Sequence, residues 1–209
     1  MSKPRLLLIG AGGHAHACID VIEQLGTYQI VGLIGLPNEI HAKHLDYEVI
    51  GADKDLTTLA KTCPWALITL GQIQTPDHRI RLFQFAKMLG FQLPSFIASS
   101  AHVSQHAIIG AGTVVMHGAI VNAGAKIGDN CIINSQALIE HDATVADHCH
   151  ISTGAILNGG TTIKTGCFVG SGALLKEGIS IGERCVISMG LIVRHNQSDH
   201  TKLTRNTHS

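Results

Sequence analysis

The segment Glu140-His141-Asp142 places an imidazole between two carboxylates. A histidine accepts a proton from an amine or hydroxyl nucleophile near neutral pH, provided that a carboxylate orients its other ring nitrogen. We therefore interpret His141 as a candidate general base, with Asp142 or Glu140 as its partner. The alternative is that the three are solvated turn residues, with Asp142 standing where the backbone must be left-handed.

The triplet lies within a six-residue repeat that must position it. Every sixth residue from Val103 to Val193 is Val, Ile or Leu, and the residue four places later is small in most repeats. This period fits neither an α-helix nor an alternating strand, but a short strand plus a turn, three of which make one coil of a hexapeptide β-helix. Ala123 and Gly159 are one coil away from His141, so we expect open space on both sides of its ring.

Cysteines recur at the spacing of one coil, which predicts an inward-facing column of small core residues. A zinc site needs ligands that converge on one point, whereas a column spreads its sulfurs over about 14 Å. A metal site from His141, Asp147 and His150 is disfavoured because the coil geometry gives them no common point, and His148 fits an ordinary turn position. We expect no metal. The cysteines of the column are Cys131, Cys149, Cys167 and Cys185.

The first half of the chain predicts a Rossmann-like α/β domain. Residues 5–35 read as strand, glycine loop, helix and strand, and a further strand at 66–70, a helix at 76–89 and a short strand at 93–97 follow. The loop Gly10-Ala11-Gly12-Gly13 matches the start of a GxGxxG/A pattern, which suits a phosphate or else a structural turn. An NAD site is disfavoured because Ile34-Gly35 stands where an acid is expected and the domain is too short.

Three regions follow from these patterns: an α/β domain at residues 1–98, a β-helix at 101–193 and a polar C-terminal tail at 194–209. The formal net charge of zero disfavours nucleic-acid partners, and no apolar run is long enough for membrane insertion. Six cysteines without a CxxC pair, and no recognisable signal peptide, favour the cytoplasm. Low charge and 45% hydrophobic residues favour an oligomer.

The chain resembles a bacterial family of left-handed β-helix acyltransferases, the sialic acid O-acetyltransferases and UDP-4-amino-sugar (bacillosamine, perosamine) N-acetyltransferases. The matching stretches are LLLIGAGGHA, ITLG and IINSQALIEHDATVADHCHIS. The resemblance implies a Rossmann-like nucleotide-sugar domain, a left-handed parallel β-helix, a homotrimer and acetyl-CoA as co-substrate. It also implies that His141 is the base and Asp142 its partner, with direct transfer to the sugar amine.

The same resemblance assigns the binding residues. Asn134 is implied near the active site, and His150 and Gly159 are implied as contacts to acetyl-CoA. The UDP-amino sugar is implied to contact Gly12, Gly13, His14 and Gly71.

Two departures accompany the resemblance. Family members often place Asp where this chain has Ile34-Gly35, a position expected to contact the nucleotide. They also usually close with a Gly-x-Pro-Ala-Lys segment, where this chain has the polar tail.

The sequence therefore predicts an acetyl-CoA-dependent N-acetyltransferase acting on a UDP-linked 4-amino-4,6-dideoxy sugar in surface glycan biosynthesis. O-acetylation of a sialic-acid-like sugar is an alternative that a histidine base serves equally well. A trimeric β-helix scaffold without catalytic activity is an alternative from another class.

Overall fold

A computed structural model of the chain describes residues 2–204. It divides into two compact units, one of residues 1–71 and 77–96 and the other of residues 72–76 and 97–209. Residues 72–76 lie inside the first predicted domain, yet they group with the β-helix.

The first unit is a mostly parallel five-stranded sheet with helices. Strand β1 lies in its interior, and four of its five residues are fully buried, as is typical of a central parallel strand. The strand order is β3-β4-β2-β1-β5, with only β3 antiparallel to its neighbour. The elements are β1 (Arg5–Ile9), α1 (Gly13–Leu25), β2 (Gln29–Gly35), β3 (Lys43–His44), β4 (Tyr47–Ala52), α2 (Leu56–Leu59), β5 (Trp65–Ile68) and α3 (Asp77–Met88).

This unit confirms the α/β fold class and extends the predicted strand set. The hairpin of β3 and β4 adds two strands beyond β2, and α2 follows them. Each of β2 and β4 is followed by a short 3-10 helix, Pro37–Glu39 and Asp53–Asp55. Both turns therefore lie at the edge of the sheet where the parallel strands end.

The second unit is the predicted β-helix, built from two-residue strands in three parallel sheets. The first sheet contains β7 (His102–Val103), β10 (Ile120–Val121), β13 (Leu138–Ile139), β16 (Ile156–Leu157), β19 (Leu174–Leu175) and β22 (Ile192–Val193). The second contains β8 (Ile108–Ile109), β11 (Lys126–Ile127), β14 (Thr144–Val145), β17 (Thr162–Ile163) and β20 (Ser180–Ile181). The third contains β6 (Phe96–Ile97), β9 (Val114–Val115), β12 (Ile132–Ile133), β15 (His150–Ile151), β18 (Phe168–Val169), β21 (Val186–Ile187) and β23 (Lys202–Leu203).

The register of these sheets confirms the eighteen-residue coil. Ile133 pairs with Val115 in the coil before it and with Ile151 in the coil after it. A left-handed backbone recurs at every sixth position from 112 to 190. This includes Gln136 and Arg184, residue types that do not mark such a turn in a sequence.

The interior of the β-helix is a single core of aliphatic and small side chains. The four column cysteines are buried within it, and each thiol donates to a carbonyl oxygen in the following coil. Burial raises the pKa of the Cys149 thiol well above its ordinary value. These thiols therefore act as small core residues with an internal hydrogen-bond acceptor.

The predicted tail continues the stacking of the β-helix as far as residue 204. Gln197 forms a β-bridge with Ile181, and Lys202–Leu203 pairs with Val186–Ile187. Residues 205–209 of the predicted tail lie outside the described residues. No helix in the described part of the chain is long and apolar enough to cross a lipid bilayer.

Candidate active site

The Glu140-His141-Asp142 triplet forms the corner between β13 and β14. Asp142 takes the left-handed conformation at this corner, with φ of 60°. The corner itself is therefore an ordinary member of the repeat. Its side chains distinguish it from the others.

His141 and Asp142 form a hydrogen-bonded pair. The Nδ1 atom of His141 lies 2.9 Å from Oδ2 of Asp142, and the two side chains are 66% and 73% exposed. This bond is the main reason that the pKa of His141 is raised; desolvation opposes it, and the negative charges of Asp142 and Glu140 raise the pKa further by smaller amounts. With Nδ1–H donating to the carboxylate, Nε2 carries the lone pair that can accept a proton.

The carboxylate of Glu140 bonds to groups other than the imidazole. Its Oε2 atom accepts hydrogen bonds from Nδ2 of Asn122 at 2.9 Å and from the backbone N–H of His141 at 3.3 Å. Of the two carboxylates that the sequence offers as partners, Asp142 is the one bonded to the ring. Glu140 acts on His141 through its charge and through the backbone.

Glycine at position 159 provides room for the ring of His141. A Cβ atom on Gly159 would lie 2.6 Å from Nε2 and 2.7 Å from Cε1 of His141. The open space that the sequence predicts at Gly159 is therefore filled by the imidazole of His141. A Cβ atom on Gly124, one coil before Asp142, would in the same way collide with Oδ1 of that carboxylate.

His150 lies in a second, buried arrangement of polar side chains. Its ring is 7% exposed, with Nδ1 2.6 Å from the carbonyl oxygen of Gln72 and Nε2 3.3 Å from Nδ2 of Asn134. Nδ1 must therefore donate to the carbonyl, which leaves Nε2 to accept from the Asn134 amide. The structure thus brings the two implied binding residues Asn134 and His150 together.

Gln72 is a member of this arrangement that sequence reasoning missed. Besides its carbonyl contact to His150, its Nε2 atom donates to the carbonyl oxygens of Gly166 and Cys167. It belongs to the short segment 72–76 that groups with the β-helix. No pattern in the sequence indicates such an excursion.

The glycine loop of the first unit divides into a packed and an open part. At Gly10 φ is 123°, and a Cβ atom there would lie 2.8 Å from the backbone nitrogen of Leu70. Cβ atoms on Gly12 or Gly13 would meet nothing within 4 Å. Helix α1 begins here with no side-chain cap and no acidic residue in its first turn, so no side chain of its own competes with an anion at this helix end.

His14 and Gly71 lie close to each other within this unit. A Cβ atom on Gly71 would lie 3.7 Å from Cβ of His14. The Nε2 atom of His14 is 3.5 Å from Sγ of Cys18, a thiol whose pKa burial raises to about 12. The cysteine therefore stays a thiol and can donate to the ring.

A cavity of about 490 Å³ adjoins the glycine loop within the first unit. It is bounded by the loop, by the carboxyl ends of β2 and β4 and by the first turn of α3. Ligands of open α/β sheets bind at this edge. Sequence reasoning missed its polar side chains, which are Glu39, Asp53, Lys54 and His78.

Comparisons with known proteins agree with both units. The first matches the PglD N-terminal domain over residues 5–81. The second matches the bacterial transferase hexapeptide at 106–141 and 124–159, and the hexapeptide repeat of succinyl-transferase at 160–194. A comparison with curated protein sequences gives no match.

Among solved structures, the acetyltransferase domain of PglB from Neisseria gonorrhoeae, in complex with acetyl coenzyme A, is 30% identical. The match covers 98% of each chain, with a TM-score of 0.89. The chain belongs to this family of hexapeptide-repeat acetyltransferases. This confirms the predicted family, fold and enzyme class.

Two other structures show how far the likeness extends. PerB from Caulobacter crescentus, in complex with CoA and GDP-perosamine, is 28% identical over 96% of this chain and 94% of its own, with a TM-score of 0.89. The family fold also appears in WeeI from Acinetobacter baumannii, at 18% identity over 98% of each chain and a TM-score of 0.85. Among residues 2–204 of this family member, no cluster of three or more His, Cys, Asp or Glu is placed to hold a metal ion.

Proposed function

We propose that the protein transfers the acetyl group of acetyl-CoA to the amino group of a nucleotide-linked amino sugar. The acceptor of the proposal is a UDP-linked 4-amino-4,6-dideoxy sugar used in surface glycan biosynthesis. The PglB domain, whose structure contains acetyl coenzyme A, and PerB, whose structure contains CoA and GDP-perosamine, support this class of donor and acceptor.

The hydrogen-bonded pair of His141 and Asp142 carries the proposal. The exposed side chain of His141 does not determine the corner conformation, because all the other coil turns from 112 to 190 share that conformation. A scaffold without catalytic activity would gain nothing from a raised histidine pKa at one corner. The pair is what general-base catalysis requires.

The chemistry follows from the state of each nitrogen. Nε2 of His141 takes a proton from the sugar amine as the amine lone pair attacks the thioester carbonyl, forming a C–N bond. The resulting tetrahedral intermediate expels the CoA thiolate, which breaks the C–S bond, and the imidazolium returns the proton to the sulfur. Asp142 stabilises the imidazolium in between, because its carboxylate accepts the Nδ1–H bond.

The remaining site assignments are part of the proposal. Gly12, Gly13, His14 and Gly71 would hold the nucleotide-sugar, and the bare N-terminus of α1 supports a phosphate there. Asn134 would contact the acceptor near the reacting groups. His150 and Gly159 would contact acetyl-CoA; the tautomer of His150 is fixed by Gln72 and Asn134.

A homotrimer, as the resemblance implies, also belongs to the proposal. The first sheet of the β-helix presents an outward column of aliphatic side chains, of which Ile120 is 39% and Ile192 48% exposed. The corresponding column of the second sheet begins at Ile108 and continues with Lys126, Thr144 and Thr162. Contact between copies of the chain would bury the apolar column. The column begins at His102, and its aliphatic members are Ile120, Leu138, Ile156, Leu174 and Ile192.

The cytoplasmic location is likewise a proposal. All six cysteines are free and buried, which agrees with a reducing compartment.

The experiment that tests the function is a steady-state assay of CoA release with product mass. Acceptors are UDP- and GDP-linked 4-amino-4,6-dideoxy sugars, with free and activated sialic acids alongside. We expect the mass of one acetyl group on the amino sugar, and a loss of about 10²–10⁴-fold in turnover for His141→Ala. His106→Ala, which replaces an exposed histidine elsewhere on the β-helix, is the matched control.

The outcomes separate the candidate functions. Acetyl transfer to a sialic acid hydroxyl instead would favour the O-acetyltransferase, and no transfer together with no acetyl-CoA binding would favour the scaffold. Turnover unchanged in His141→Ala would refute the general base. Light scattering on the same preparations measures the mass of the assembly, which should be that of three chains in both variants.

A further inference from the structure

The carboxyl end of β2 lacks an acidic residue in the sequence, but the structure places a carboxylate beside it. In α/β nucleotide sites an acid after the second strand binds the ribose hydroxyls. Here that strand ends in Ile34-Gly35. The 3-10 turn Pro37–Glu39 then brings the side chain of Glu39 back to the strand end, where Oε2 accepts a 2.7 Å hydrogen bond from the backbone N–H of Leu36.

Gly35 is the residue that makes this position possible. A Cβ atom on Gly35 would lie 2.7 Å from Oε2 of Glu39 and 3.2 Å from Cβ of Ala11 in the glycine loop. The carboxylate therefore lies against the strand end, close to the loop. Pro37 stands at the start of the turn, where its fixed φ favours this backbone path.

The Glu39 carboxylate is both part of the cavity and able to accept further hydrogen bonds. Glu39 lines the cavity of the first unit and is half-buried. Among the described residues its hydrogen-bond partner is the Leu36 N–H alone, which leaves Oε1 to accept from a ligand. Asp53, the other carboxylate of the cavity, is instead paired with Arg81 at 3.0 Å.

We propose that Glu39 accepts hydrogen bonds from the ribose hydroxyls of the nucleotide, in place of an acid on the strand itself. This inference rests on the proposed function in so far as the nucleotide is part of a nucleotide-sugar. Hydroxyl groups are donors that an ionised carboxylate binds strongly, whereas a phosphate at the same place would be repelled. The bare N-terminus of α1 offers the phosphate a separate position in the same unit.

The chain contains a matched control for this role. Asp55 closes the 3-10 turn after β4 in the same way, with Oδ2 accepting a 2.9 Å hydrogen bond from the backbone N–H of Ala52. Asp55 is absent from the residues that line the cavity. Removing its charge therefore perturbs an equivalent turn without touching the proposed ribose contact.

The test measures binding of UDP and GDP, each with its 2′,3′-dideoxy form, by calorimetry on the whole protein. Glu39→Gln keeps an oxygen for the Leu36 N–H but turns the free oxygen into a donor. We expect it to weaken binding of the tighter nucleotide by about 10- to 100-fold, typical of a lost charged hydrogen bond. Asp55→Asn should bind within about twofold of the unchanged protein.

The dideoxy nucleotides decide whether the hydroxyls are the partners. If they are, Glu39→Gln and the unchanged protein bind the dideoxy form equally weakly. Gly35→Ala retains the charge of Glu39 but displaces its carboxylate. It should weaken binding of the ribonucleotide as Glu39→Gln does. Circular dichroism shows whether each variant is folded.

Three outcomes would overturn the proposal: Glu39→Gln binding as tightly as the unchanged protein, an equal penalty on ribo- and dideoxynucleotides, or no binding of either nucleotide to the unchanged protein. The assay is independent of turnover. Glu39-dependent nucleotide binding without acetyl transfer would refute the proposed function alone, and acetyl transfer lost in His141→Ala with nucleotide binding unaffected in Glu39→Gln would refute this inference alone.

Discussion

The two units of the molecule reach their structures in different ways. In the β-helix the same turn recurs at every sixth residue from 112 to 190, and it accepts Asn130, Gln136, His148 and Arg184 as well as glycine. The first unit instead contains turns that are not repeated along it. Gly10 is an example, since the backbone of Leu70 and Thr69 fills the space where its Cβ would be.

This difference shows where each unit is sensitive to substitution. A corner of the β-helix is stabilised by its contacts with the coils before and after it. An unfavourable residue at one corner is therefore tolerated, because many equivalent contacts keep the neighbouring coils in place. A singular turn has only its own residues to specify it. The contrast predicts that a substitution at a singular turn costs more stability than the same substitution at a corner of the β-helix.

Gly10→Ala should destabilise the protein far more than Gly154→Ala. At Gly10 both a φ of 123° and the overlap with Leu70 oppose a side chain, and together they should cost about 3 kcal/mol or more. At Gly154 φ is 63° but a Cβ atom meets nothing within 4 Å, so the cost should be about 1 kcal/mol. Denaturant unfolding measures both changes.

The single tryptophan allows unfolding of the first unit to be followed separately. Trp65 begins β5, next to β1 in the sheet of the first unit, so its fluorescence reports the unit that Gly10 belongs to. Circular dichroism reports the β-strands of both units. Equal costs at Gly10 and Gly154 would contradict the contrast between a singular and a repeated turn.

The sequence predicts the β-helix in more detail than the first unit for the same reason. Period, coil length, strand register and the cysteine column all follow from aliphatic residues at every sixth position. The hairpin of β3 and β4 does not, because Lys43–His44 and Tyr47–Ala52 carry neither a long apolar run nor a repeat. The Glu39 carboxylate is missed because a turn, and not the strand, brings it to the strand end.

The candidate site shows the same limit. The triplet around His141 is visible in the sequence as the polar interruption of an apolar repeat. The sequence does not decide which carboxylate bonds to the ring, nor that the ring lies against Gly159. His150 directly precedes a residue of the aliphatic repeat, Ile151, but its burial against Gln72 depends on a contact between residues 78 positions apart.

Gly159→Ala should lower turnover strongly while leaving the β-helix folded. The backbone at Gly159 is not left-handed, so alanine brings no backbone strain, but its Cβ would displace the imidazole of His141. A misplacement of about 1 Å in a catalytic group can cost roughly 10²-fold, which is the loss we expect. The measurement is the rate of acetyl transfer, with circular dichroism as the test of folding.

The matched control for this change is Glu177→Ala. Position 177 follows 159 by one coil and occupies the same corner column, and among the described residues the imidazole of His141 is bonded to Asp142 and not to Glu177. Its turnover should remain close to that of the unchanged protein. A similar loss in both variants would show that the column as a whole, and not the contact with His141, affects the rate.

Asp142→Asn should have the smallest effect, and it tests the site through the pH dependence of kcat/KM. Asparagine tolerates the corner conformation, as Asn130 shows two turns of the repeat earlier on another edge, so the backbone should be unchanged. The variant removes the charged hydrogen bond that raises the pKa of His141. We expect the plateau of kcat/KM to fall roughly tenfold. This loss is smaller than that for a buried aspartate of a catalytic triad, because the His141–Asp142 pair is exposed to water.

The sign of the pH shift separates catalysis by His141 from a merely structural role. A general base must be neutral, so activity falls as the pH drops through the raised pKa of His141, and a lower pKa moves this acid limb to lower pH. Glu140→Gln should move it in the same direction but less, because Glu140 acts by charge without a bond to the ring. The substrate amine titrates identically with every variant, so differences between the variants belong to the protein. An acid limb that stays in place or moves to higher pH in Asp142→Asn would show that His141 is not the group being titrated, and the corner would then be an exposed turn like the others.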